Sequence, residues 1–525
     1  MRIRATTRLL TASVVLLAAV GCGDLTVEPR STVTSGNIFS DPSSYRAFLA
    51  KLYAGLVVTG QAGPDGSADI QGIDEGFSQY IRGYWQLQEL PTDHAIIGWG
   101  DIGLPELNTQ LWSSSNPFVT AMYSRIYYQV ALANQFLRET TDEKLNSRAV
   151  SAQLKTDIQQ YRAEARFLRA LSYWHALDLF GRVPLVDENF DILKLPTQAN
   201  RVDVFNFVET ELKAVRTLLP AARTGQYGRA DRGAADMVLA KLYLNAQVYT
   251  GTARYSDART SAEAVIAGGY TLDPNFLRMF SADNNTSPEM IFTVPQDGDH
   301  TRTWGGMTYL VHAPVGGSMD AKAFGIDFAW WGLRLRPETV DRYEGGATGP
   351  DHRTSFFVTN GQSKTIGNVG DFTHGIGAPK FRNVTSTGAQ GSHPTFPDTD
   401  FPMFRLADAY LIYAEAVLRG GGGTRAQALT YVNQIRRRAY GGTNGDITDA
   451  QLTLDFILDE RSRELLWEGH RRQDLIRFGR FSDVGVWSWK GNLAAGRTTE
   501  KFRDLYPIPA SELVANPNIK QNQGY

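Results

Sequence analysis

Cysteine is almost missing from this chain: 525 residues contain one, Cys22. A lone thiol excludes disulfides within the chain and any CxxC-type metal or redox motif. Histidine is scarce as well. The eight residues are scattered, and no two sit at the close helical spacing that a zinc site advertises. No HExxH, GxSxG or P-loop string occurs, so the common metalloprotease, serine-hydrolase and nucleotide-driven classes have no foothold. Charge of one sign is lacking too: the net charge of -2 leaves no basic footprint for nucleic acid. Beyond the N-terminus no apolar run approaches the roughly 20 residues that a membrane-spanning helix needs.

What is present begins with an export address. Arg2, Arg4 and Arg8 precede an apolar stretch over 9–20, and Ala19-Val20-Gly21-Cys22 resembles a bacterial lipobox, with Ala19 where leucine is usual. An ordinary signal peptide would leave Cys22 incidental; a lipoprotein gives the single thiol a task. The expectation is therefore a lipoprotein signal peptide over 1–21, lipidation at Cys22 and a tether over 22–43. Several acyl chains anchor firmly, at about 0.8 kcal/mol per buried CH2.

The body reads as helices separated by long loops. A first helix is predicted over 44–56. Over 116–137 apolar residues recur at helical spacing (Phe118, Met122, Ile126, Val130, Ala133, Leu137), with Asn116 as N-cap and Pro117 in the first turn. A third helix over 161–180 stops at Gly181-Arg182-Val183-Pro184. Further helices are predicted over 203–219, 234–249, 256–267, 405–419 and 426–438. The 405–419 segment has two apolar rows, one through Leu406, Tyr410, Tyr413 and Val417, the other through Ala407, Leu411, Ala414 and Leu418. Apolar on two sides, it should lie between neighbours, as stacked helical hairpins require. The fold class expected is mainly α, a tetratricopeptide-like helical-hairpin scaffold with long irregular loops and few short strands.

Two stretches identify a family. Residues 161–186, YRAEARFLRALSYWHALDLFGRVPLV, form one. The other is the tail, ILDERSRELLWEGHRRQDLIRFGRF over 457–481 followed by LYPIPASELVANPNIKQNQGY over 505–525. Together they resemble the SusD/RagB family of nutrient-uptake outer-membrane lipoproteins. The strings Asp351-His352-Arg353 and Lys380-Phe381-Arg382-Asn383 fit its middle segment loosely. The resemblance implies a helical region over 44–269, a loop-rich ligand-binding region over 270–402 and a C-terminal region over 403–525. It also implies an outer-membrane location facing the cell exterior, a SusC-like TonB-dependent transporter as partner, no cofactor and no catalysis.

Two places could carry chemistry. Glu460, Arg461, Arg463, Glu464, Glu468, His470, Arg471, Asp474 and Arg477 crowd one helical stretch. Two of its carboxylates could serve as acid and base, but such helices more often form ion pairs that fix packing. Asp283-Asn284-Asn285 lacks the spacing of a calcium loop and reads as a solvated turn. The second place is the loop aromatics. Sugars offer apolar C–H faces to rings and hydroxyls to fixed polar groups. Trp99, Asp101 and Trp112 in the irregular region 89–115, and Trp304, Tyr309, Trp330 and Trp331 in 270–402, are the ligand-binding candidates, with Asp320 and Arg334 as polar partners. The two regions are expected to meet on one face of the scaffold. Trp85, Trp174 and Trp467 read as core.

The function expected is capture of a glycan or oligosaccharide for the transporter. A peptide or other cargo in the same architecture, a surface glycoside hydrolase, and a scaffold with protein partners alone remain open alternatives.

Overall fold

The computed structural model describes residues 38–525, apart from Asp65 and Ser67. The expected leader, Cys22 and most of the tether lie outside the described residues. Residues 46–525 make one compact body; a leading unit ends at Tyr45, whose ring lies 5.1 Å from that of Phe39. Helix dominates the body, and among the described residues sheet is confined to three two-stranded antiparallel pairs.

Caps set the helix limits. Helix Pro117–Glu139 starts as the sequence predicts, with the Asn116 side chain accepting from the Phe118 and Val119 amides. Helix Ala152–Phe180 begins nine residues before 161, at the Ser151 cap. Its first turns face solvent, so apolar spacing carries no trace of them. It ends at Gly181 with φ 74°, where the Cβ of any other residue would also meet Leu505 at 2.9 Å. The helix expected over 234–249 divides at Asn245 into Arg232–Leu244 and Ala246–Thr250. Strand Met290–Val294 forms against Phe401–Arg405, and residues 356–358 contribute one bridge, between Val358 and Gly377.

Neighbouring helices pack in succession. Pro117–Glu139 lies against Ala152–Phe180, which in turn meets Arg201–Arg216. Leu406–Leu418 sits between Tyr255–Ile266 and Arg425–Tyr440, as its two apolar rows require. Trp85, Trp174 and Trp467 are fully buried. The Trp85 indole donates to the Trp467 carbonyl at 2.8 Å, and Glu89 Oε1 accepts from the Gly469 amide at 2.8 Å, tying an early helix to the tail.

The charged stretch at 460–477 is buried and paired. Glu464 takes Arg353 at 3.0 Å and Arg405 at 2.6 Å, and also pairs with Arg438. Glu460 takes Arg353 at 2.8 Å, and Glu468 takes Arg405 at 2.6 Å and Lys380 at 2.7 Å. Burial raises the Glu464 carboxyl, but the Arg438, Arg405 and Arg353 guanidinium groups outweigh it and hold it down to about 2. The loosely matching middle strings supply Arg353 and Lys380, so their task is to neutralise this helix. Asn284 departs from the solvated turn expected of it. It is buried, and its amide donates to the Met279 and Asp400 carbonyls at 3.0 and 2.9 Å.

Candidate functional site

The two irregular regions meet through a strand pair. Ala95–Ile97 runs antiparallel to Leu333–Leu335, with Ile97 opposite Leu333, and the Gly98 amide extends the ladder to the Gly332 carbonyl at 3.1 Å. Trp99 follows the first strand and Trp330 precedes the second, so the pairing carries both into one place. The Trp99 indole donates to the Trp330 carbonyl at 3.1 Å, and the two ring centroids lie 6.1 Å apart. Gly332 is required here: a Cβ would come within 2.6 Å of the Trp99 ring.

Trp304 completes the arc, 6.4 Å from Trp330 and 5.2 Å from Phe396. It arrives on a close backbone approach, because a Cβ at Gly305 would lie 2.3 Å from that of Gln79. Gln79 caps helix Tyr80–Glu89 by accepting from the Arg82 amide at 2.8 Å. The cap turns Arg82 toward the aromatics. Its guanidinium lies 4.4 Å from the Tyr309 ring centroid and donates to the Trp304 carbonyl at 3.3 Å. Burial pushes the Arg82 pKa down, while Tyr309, Asp74 and Asp101 oppose that shift.

Arg82, Trp304 and Trp330 line an open cavity of about 1080 Å3, with Trp99 packed behind Trp330. Trp304 and Trp330 form an aromatic wall, and Asp74, Glu75, Asp101 and Arg82 supply the polar groups. Three carboxylates against one guanidinium leave the cavity acidic. Two buried polar atoms, Glu75 Oε2 and Arg82 Nε, have no hydrogen-bond partner among the described residues. A buried polar atom without a partner is costly, and hydroxyl-bearing ligands can satisfy both a carboxylate and a guanidinium. Asp74, Glu75 and Arg82 carry no motif that marks them in the sequence. The available signal was the glycine-rich loop leading into Asp74-Glu75-Gly76.

The other candidates are placed elsewhere. Tyr309 is fully buried beneath the arc, edge-on to Trp99 at 5.8 Å and to Trp85 at 5.7 Å. Trp112 is 2% exposed; it packs on Tyr506 at 4.6 Å and donates to the Tyr525 hydroxyl at 2.7 Å, so its ring is part of the core and does not line the cavity. Trp331 is 53% exposed at φ 54° and leans on Phe372, also outside the cavity lining. Arg334 is fully buried and donates to four backbone carbonyls, among them Gly332 at 2.7 Å and Val369 at 2.6 Å, which organises the loop. Asp320 is exposed and caps a short 3-10 turn by accepting from the Lys322 amide.

Comparison with known proteins places the chain in a family. A profile described as the SusD family matches residues 288–525, and one described as starch-binding associating with outer membrane matches 85–244. The starch-binding protein SusD of Bacteroides thetaiotaomicron is 33% identical, over 98% of each chain. The chain belongs to the SusD family. A SusD-like protein of Formosa agariphila is 25% identical over 98% of this chain and 99% of its own. Among solved structures, a SusD superfamily protein from Bacteroides vulgatus superimposes with a TM-score of 0.71 at 20% identity, covering 92% of this chain and 99% of its own. Surface glycan-binding protein A from Bacteroides thetaiotaomicron, solved with laminarihexaose, gives 0.69 at 20% identity, covering 91% and 98%. At these identities the structural matches speak for the fold, the tetratricopeptide-like scaffold expected above. SusD-family proteins bind rather than cleave, and the chain is not an enzyme.

Proposed function

We propose that this SusD-family protein binds a neutral glycan in the cavity walled by Trp304 and Trp330, with Trp99 holding Trp330 in place. The observation that carries the reading is the aromatic arc set above unpartnered polar atoms of Glu75 and Arg82. Rings take the C–H faces of sugar units, and the carboxylates and guanidinium take hydroxyls. A volume of about 1080 Å3 suits several sugar units rather than one. The acidic lining disfavours uronates and sulfated chains and favours neutral ones. The starch-binding relative makes an α-glucan the first ligand to test.

In this reading the chain is held to the outer membrane by acyl groups on Cys22 and faces the exterior. It delivers captured glycan to a SusC-like TonB-dependent transporter. Family membership and the matched description that mentions the outer membrane support this placement.

The test is affinity electrophoresis of the purified protein through gels containing starch, laminarin or no glycan. Retardation by a neutral glucan, abolished in a Trp99→Ala, Trp304→Ala, Trp330→Ala triple variant and unaccompanied by new reducing ends, supports the proposal. Undiminished retardation of the triple variant would overturn it.

A further inference from the structure

A second large cavity, about 820 Å3, opens between the start of helix Arg201–Arg216 and the segment around Lys501 to Gly524. An inner arm of about 310 Å3 shares Arg201, Lys501, Asp504 and Leu505 with it. Nothing in the glycan reading uses this space.

Its charges do not balance locally. Every acid nearby is already matched by the protein. Asp178 accepts from Arg472 Nη1 and Gln88 at 2.8 Å each and from the Tyr249 hydroxyl at 2.9 Å. Asp504 accepts from the Ser482 hydroxyl at 2.7 Å and pairs with Lys501 at 2.8 Å. Arg201 has no such partner. Its Nε is buried without a hydrogen-bond partner among the described residues, and its guanidinium lies 5.5 Å from the Tyr249 ring, with the Asp178 and Asp504 charges near enough to act on it. Arg182 gives a single hydrogen bond to the Gln521 carbonyl at 2.8 Å and meets no carboxylate.

A guanidinium withdrawn from water needs an acceptor, and its planar fork matches the two oxygens of a carboxylate or phosphate. Two such forks, neither ion-paired with a carboxylate of a described residue, line one cavity; the acids that share the lining, Asp504 and, in the inner arm, Asp178, are taken up by other donors. Phe502 and Leu505 line the main cavity, and Val248 and Ile476 line the inner arm, which gives an organic acid an apolar surface for its body.

We propose that this cavity is a binding site for an oxyanion, a carboxylate or a phosphate, gripped by Arg201 and Arg182. The site is separate from the aromatic arc, so the proposal stands or falls independently of glycan binding.

The experiment is thermal unfolding of the full chain titrated with inorganic phosphate, acetate or benzoate, with ionic strength held constant by sodium chloride. A saturable rise in Tm is expected for at least one anion, with the apparent Kd raised at least tenfold in Arg201→Met. Arg201→Lys, which keeps the charge but loses the fork, should fall between them. It also serves as the test variant if the methionine protein fails to fold. Preference for phosphate points to a phosphoryl ligand; preference for benzoate over acetate points to an organic acid that uses the apolar wall. No saturable rise with any anion, or an equal rise in the wild type and both variants, would overturn the proposal. The Trp99/Trp304/Trp330 triple variant should retain the full anion response.

Discussion

The Trp99 indole N–H and the Trp330 carbonyl are joined by a 3.1 Å hydrogen bond across 231 residues of chain. That bond fixes the Trp330 ring of the cavity against the Trp99 ring behind it before any ligand arrives. A preorganised aromatic surface spares the ligand the entropy of ordering loops. Single replacement of Trp99, Trp304 or Trp330 by alanine should weaken binding of a neutral glucan roughly five- to tenfold each, about 1 kcal/mol or slightly more. Isothermal titration of each variant measures this. Trp331→Ala should leave affinity for short oligosaccharides unchanged, because its ring does not line the cavity.

Charge should sort ligands. With Asp74, Glu75 and Asp101 facing Arg82 alone, carboxymethylated starch is expected to bind roughly tenfold more weakly than starch at low salt. Raising the ionic strength should narrow the gap, since salt screens repulsion between exposed charges. A gap that ignores salt would count against an electrostatic origin.

The buried ion-pair cluster should govern stability and leave binding alone. Glu464→Gln removes a carboxylate shared by Arg353, Arg405 and Arg438, leaving buried guanidinium groups short of charge. A loss of roughly 3–5 kcal/mol in unfolding free energy is expected, with glucan affinity unchanged in the protein that remains folded. Trp112→Ala belongs to the same class, costing about 3–5 kcal/mol through the cavity it leaves beside Tyr506.

Asp400 gives a pH signature. Burial raises its carboxyl to about 7, against hydrogen bonds from the Tyr227 hydroxyl at 2.5 Å and the Gln296 amide at 2.7 Å. A raised carboxyl means that protonation favours the fold. The contribution is full below the ordinary carboxyl value of about 4 and is lost as pH climbs through about 7. Asp400→Asn mimics the protonated group. Its advantage over the wild type should therefore grow from pH 5 to pH 8, reaching roughly 1–3 kcal/mol in chemical denaturation. A constant difference across that range would contradict the assignment.

The scaffold was legible because helices announce themselves by spacing and caps. Asn116, Pro117 and Gly181 marked boundaries that the structure keeps. The polar first turns of Ala152–Phe180 escaped because solvent-facing residues carry no period. The meeting of the two loop regions was foreseeable from their composition, but the register that sets Trp99 beside Trp330 was not, since strands of three residues leave almost no pattern. Trp112 and Trp331 show why aromatic loop residues could not be sorted by sequence: one faces the core through a single hydrogen bond to Tyr525, and the other faces water. Arg82 was hidden because its position depends on the Gln79 cap and on glycines more than 220 residues away.

The clasp between Trp85 and Trp467, reinforced by Glu89 at the Gly469 amide, also constrains how the molecule is made. An early helix completes its burial against residues synthesised some 380 positions later. Contacts of such long sequence separation close slowly. A half-emerged chain therefore exposes part of a tryptophan face until the tail arrives to complete its cover.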